Sequence, residues 1–126
     1  MPCRVSKAEF GRHVEAALSE LPEQFRNFLD EVPIEIRDRP SAKQLHDANV
    51  GPNGLLLGLY VGTSLAHQSV MHGMEYPAVI YLFQEDIELI CRTPDDLRRE
   101  IRKTVLHEIG HHFGLDEDDL DRLGYG

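Results

Sequence analysis

The chain has 126 residues, of which 41% are hydrophobic and 28% charged, the size and balance of one soluble globular domain rather than two. Its 13 Lys and Arg stand against 22 Asp and Glu, a formal net charge of −9, which argues against a phosphate-tracking surface and against nucleic acid as a partner. No apolar run reaches the roughly 18 residues of a membrane span, the opening MPCRVSKAEF lacks the apolar stretch of a secretory signal, and two distant cysteines, Cys3 and Cys91, imply no disulfide framework, so a reducing cytoplasm is the expected location.

In chain order, Ser6 and Glu9 form an S-x-x-E box that opens a first helix. Phe10, Val14, Ala17, Leu18 and Leu21 follow at helical spacing. Pro22 ends that helix and suits the first turn of a second, whose apolar face is Phe25, Phe28 and Leu29. Val32, Ile34 and Ile36 alternate as in a short strand, and Pro33, which has no N–H to give a ladder, predicts that the strand lies at an edge. Residues 38–54 read as a loop with room for one helical turn. Residues 55–61 form an apolar run suited to a strand. Residues 63–76 have no clear period, contain His67, Met71, His72 and Met74, and read as a flap. Residues 77–83, PAVIYLF, give the strongest strand signal, and 84–91 look helical.

The last long element is the most clearly marked. Thr93 is an N-cap, Pro94 takes the first helical position and Asp96 completes a T-x-x-D box. The pattern predicts a helix over 94–113, stopped by Gly114. Within it stands His107-Glu108-Ile109-Gly110-His111, an H-E-x-x-H. Residues four apart lie one turn apart with Cβ atoms about 5–6 Å from each other, so two imidazoles at that spacing can converge on one ion at roughly 2.0–2.1 Å each. With Leu97 set at zero, His107 falls at about 280° and His111 at about 320°, while Leu97, Ile101, Val105, Ile109 and Phe113 spread from about 0° to about 160°. The histidines therefore border the buried face. Glu108, at about 20°, points beside the ion and is placed to serve its water rather than to ligate. Zinc lowers the pKa of a bound water to about 7, and a neighbouring carboxylate can take the proton and pass it to the leaving amine. A catalytic zinc keeps three protein ligands and one open position. The third ligand is expected just past Gly114, in Leu115-Asp116-Glu117-Asp118-Asp119.

His107, Glu108, His111 and Gly114 match H-E-x-x-H-x-x-G, and the chain resembles the zincin metallopeptidases, in particular the short bacterial minimal zincins. TVLHEIGHHFGL and the closing DRLGYG resemble that family too, and the likeness extends loosely over nearly the whole chain. The family motif ends in x-x-D, and this chain has Glu117 at that position, with Asp116 and Asp118 beside it. The resemblance implies a zinc site of His107, His111 and Glu117, with Asp116 the alternative third ligand, and Glu108 as catalytic base and then acid. It also implies a peptide or protein substrate and an edge strand beside the metal to which that substrate adds. Residues 55–61 and 77–83 are the candidate strands. Larger zincins complete their cleft with a second subdomain after the motif. Only a short tail follows Gly114 here, so a shallow groove is expected, with a non-catalytic zinc-binding module as the competing function.

Other residues have plainer readings. His112, at about 60°, sits in the apolar stripe and reads as a hydrogen-bonded core histidine. Glu100 and Thr104 share the metal face and would suit imidazole partners, though ordinary surface is the commoner reading. The basic residues between Arg98 and Lys103 read as a solvated face, and the acids of 116–121 as the first turn of a short final helix. Tyr60, Tyr76, Tyr125, His67 and His72 are the candidates to steady an oxyanion. The expected architecture is one α+β domain over residues 1–126: two N-terminal helices, a small mixed sheet, and the H-E-x-x-H helix supported on it.

Overall fold

The computed structural model describes residues 2–62, 78–114 and, with the side chains of 118, 119 and 122 only, 117–122. The elements are α1 (Lys7–Ser19), α2 (Glu23–Leu29), β1 (Ile34–Arg37), α3 (Ala42–Asp47), β2 (Gly58–Val61), β3 (Val79–Phe83), α4 (Gln84–Leu89), α5 (Pro94–His112) and α6 (Glu117–Arg122). The α+β expectation holds. β3 is the central strand, with β1 parallel on one side and β2 antiparallel on the other. The expected flap over 63–76 lies outside the described residues.

α5 is the spine. Thr93 Oγ1 accepts the Asp96 N–H at 3.1 Å, and Asp96 Oδ2 accepts those of Arg92 and Thr93 at 3.1 and 3.3 Å. Together they satisfy donors that a helix start leaves without partners. The same bonds, the Arg92 N–H first, hold the Asp96 carboxyl below its usual range. At the other end the Gly114 N–H reaches the His111 carbonyl at 3.1 Å, with Gly114 at φ +74°. Only a residue without a Cβ takes that conformation cheaply. Leu97, Ile101, Val105 and Ile109 are buried along α5. They meet Phe10, Val14 and Ala17 of α1 and Ile80 and Leu82 of β3 in one core. The opposite face carries ion pairs in water: Arg98 with Asp95, Arg99 with Asp96 and Arg102 with Glu20. No helix among the described residues is long and apolar enough to cross a membrane.

Several boundaries differ from the sequence reading by a few residues. The strand expected over 55–61 begins only at Gly58, because the Leu56 N–H goes to Asp86 Oδ2 at 3.0 Å instead of to a ladder. Within 38–54 the helical turn for which the loop had room is α3, opened by a full capping box between Ser41 and Gln44. Pro22 is the N-cap of α2 rather than its first residue. Among the described residues β1 lies at the edge, as predicted, and the Pro33 carbonyl accepts the Ile80 N–H at 3.0 Å.

Candidate metal centre

The last turns of α5 bring His107, Glu108 and His111 together. One potential ligand atom from each lies within 4.8 Å of the others. The two imidazole rings sit 4.6 Å apart, centroid to centroid, at 66°. Ligand atoms about 2.0–2.1 Å from a tetrahedral ion are about 3.3 Å apart, so small side-chain rotations close the difference. Imidazoles are donors suited to zinc, and His107 and His111 fit such an ion as two of its ligands, with Glu108 beside them. His111 is about half exposed, whereas Glu108 is only 5% exposed. The metal face thus opens to solvent on one side and rests on the core on the other, as the helical wheel predicts.

A carboxylate this deep is costly unless it is hydrogen-bonded. Glu108 Oε1 accepts the Tyr60 main-chain N–H at 2.8 Å and lies 3.2 Å from His111 Nδ1. The Tyr60 bond follows from the sheet register. The Phe83 N–H donates to the Leu57 carbonyl, and Leu59 stands opposite Tyr81. Bonded pairs therefore fall at 57, 59 and 61, and the N–H and C=O groups of Gly58 and Tyr60 point away from β3, along the sheet edge. α5 reaches that edge. A Cβ on Gly58 would lie 2.6 Å from Thr104 Cγ2, 3.1 Å from the Tyr81 carbonyl and 3.5 Å from Glu108 Cγ. Glycine is what lets strand and helix approach this closely.

His112 is the bonded core histidine expected, its Nδ1 2.7 Å from the Tyr60 hydroxyl. Phe28 packs on its ring with centroids 4.5 Å apart. Burial pushes the His112 imidazole down against the pull of Glu31, and pushes the Tyr60 phenol up. Both shifts favour the neutral forms. Of the two candidate strands, β2 is the one beside the histidines. Tyr60, one of the oxyanion candidates, turns its hydroxyl to His112. Thr104 is buried against Gly58 rather than being plain surface, and Glu100 is half-buried. Glu117 opens α6, but its side chain, all of Asp116, and His67, His72, Tyr76 and Tyr125 lie outside the described residues; Asp118 is exposed. Sequence reasoning missed Gly58 and the Tyr60 N–H. The available signal was an isolated glycine within an apolar run, which marks a close backbone approach.

Fold and site together define a small α+β protein whose H-E-x-x-H helix carries a candidate metal centre beside a sheet edge. A family model described as zincin-like metallopeptidase matches residues 29–126, and the chain belongs to that family. Among solved structures it is similar to a conserved hypothetical protein from Thermo thermophilus, at 21% identity and a TM-score of 0.53 over 94% of this chain and 97% of that one. At that identity the likeness bears on the fold alone. None of the curated proteins matches the chain.

Proposed function

We propose that this chain is a zinc-dependent metallopeptidase, a single domain over residues 1–126 working in the cytoplasm on peptides or proteins. The observation that carries the reading is the His107, Glu108 and His111 cluster at the end of a buried helix. His107 and His111 would hold the ion, with Glu117 as third ligand and Asp116 as its alternative. Bound zinc supplies Lewis acidity to the scissile carbonyl and to a water. Glu108 would take a proton from the attacking water and return it from the same carboxyl to the departing amine, so the proton count balances over one cycle. The Tyr60 N–H holds one carboxylate oxygen in place, and burial around Glu108 keeps bulk water from competing for its proton. β2 is the edge strand that an extended substrate would meet, although its outward Tyr60 N–H is already taken by Glu108 and is not offered for pairing.

Glu108→Gln is the direct test. It preserves shape and an acceptor for the Tyr60 N–H, so zinc content should stay at that of the native protein. Hydrolysis should fall by about 10²–10⁴-fold, the usual contribution of a general base. Turnover at the native rate in that variant overturns the mechanism. One observation favours a second reading, a zinc-binding module without catalysis: Glu108 is buried and already engaged by Tyr60 and His111. Zinc-loaded native protein that cleaves nothing in a broad peptide library would establish that reading instead.

A further inference from the structure

We propose that Tyr60 and His112 are positioning residues for Glu108: the phenol–imidazole bond clamps β2 onto α5, so that the Tyr60 N–H keeps the carboxylate at the metal face. The inference rests on the reading of Glu108 as the base.

Three observations converge on it. First, β2 needs a clamp. It has four residues, begins with glycine, and among the described residues is paired on one side only. A short edge strand with a glycine is weakly held. Second, Tyr60 makes two bonds to successive turns of one helix. Its N–H reaches Glu108 at 2.8 Å, and its hydroxyl is 2.7 Å from His112 Nδ1, four residues further along α5. Residues four apart share a helix face, so the two bonds fix both the height and the tilt of Tyr60 over α5. Third, the imidazole end of the clamp is itself braced. Phe28 packs on the His112 ring, and His112 is 7% exposed. Gly58 supplies the close approach on which both bonds depend, since a Cβ there would run into Thr104 and the Tyr81 carbonyl.

The chemical consequence concerns where the carboxylate goes when the clamp opens. Glu108 Oε1 has two partners among the described residues, the Tyr60 N–H and His111 Nδ1. Without the first, it is drawn toward the imidazole at 3.2 Å. It would then compete for a ring that should face the ion, and would lose the fixed orientation that proton transfer requires.

The test measures backbone amide exchange by NMR in the metal-free protein, comparing Tyr60 with Leu59. The Leu59 N–H points into the ladder with β3 and serves as the internal control. Glu108→Ala should speed exchange at Tyr60 by about tenfold, as expected on losing one hydrogen bond to a charged group. Tyr60→Phe and His112→Leu should speed it to a similar extent while Leu59 stays unchanged. His112→Asn should restore protection, because its amide oxygen lies where Nδ1 does. Zinc content should match the native protein in Tyr60→Phe and His112→Asn, and against any substrate found Tyr60→Phe should lower kcat and leave KM unchanged. Native-like protection of Tyr60 in Tyr60→Phe overturns the proposal. So does equal acceleration at Leu59, which is general loosening, and so does failure of His112→Asn to restore protection. If His112→Leu does not fold, Tyr60→Phe decides alone. Native protein that hydrolyses nothing would refute the peptidase reading, while the exchange data would still decide the clamp.

Discussion

The sheet has two edges, and the chain treats them differently. On β1 the edge is blunted by residues that discourage pairing: Pro33 ahead of the strand, then Glu35 and Arg37, both exposed and 3.1 Å apart. On β2 a buried glycine and a tyrosine bring the edge against α5, and a carboxylate from the helix takes the outward N–H. The first edge is defended by charge in water. The second is defended by a helix, and the group that covers it is the proposed catalytic base. Protection from unwanted pairing and placement of the base are thus achieved by the same contact.

The two edges should therefore respond very differently to small changes. Gly58→Val should have the largest effect. Its Cβ meets a methyl at 2.6 Å and a carbonyl at 3.1 Å, and overpacking of that kind costs about 3 kcal/mol when the backbone cannot move away. Glu35→Ala on β1 should cost less than about 0.5 kcal/mol. Chemical denaturation of both variants checks the contrast. The milder Gly58→Ala sharpens it further when combined with Thr104→Ser, which deletes the clashing methyl. The double variant should recover about 1 kcal/mol relative to the sum of the two single changes, a coupling expected only of residues in contact. Strict additivity would mean that β2 and α5 do not touch there.

Zinc offers a second contrast. At 100 times its dissociation constant a ligand that binds only the folded state stabilises it by about 2.7 kcal/mol. The local distribution matters more than the total. Amide exchange should slow most at β2 and at the last turns of α5, and least at β1, which lies on the far side of β3 from β2. Uniform slowing across both edges would remove the distinction.

The sequence announced one of these edges better than the other. Pro33 between alternating Val32, Ile34 and Ile36 points to an edge strand, because a missing N–H is a property of the residue itself. The two histidines and the glutamate are equally legible, since helical spacing fixes their relative angles and α5 has strong signals at both ends. Ser41 and Gln44 held a capping box for α3 that the prolines and glycines nearby obscured. Three features depend on contacts between distant segments and leave only faint local traces. The start of β2 is set by Asp86 taking the Leu56 N–H, thirty residues away. The role of Tyr60 is played partly by its main chain, which any residue possesses. Gly58 shows its purpose only once Thr104 is beside it. Helix faces are written in local periodicity, whereas the join between sheet edge and helix is not.

The smallest expected effect lies on the β1 edge itself. Arg37 makes two interactions there: its guanidinium pairs with Glu35 and also lies 5.6 Å from the centre of the Tyr81 ring. The ion pair is about half exposed on both sides, so screening leaves it at most a few tenths of a kcal/mol. The ring contact is worth about 0.5–1 kcal/mol at an exposed site. Arg37→Ala should therefore cost more than Glu35→Ala, by the value of the ring contact. Raising the salt to about 0.5 M shrinks the Debye length to a few ångströms, which should erase the cost of Glu35→Ala and leave most of that of Arg37→Ala. Neither change should alter zinc content, because the charged edge stabilises β1 without reaching the histidines. A loss of bound zinc in Arg37→Ala would show that the two edges are coupled through Tyr81 and β3, and the division of labour between them would have to be abandoned.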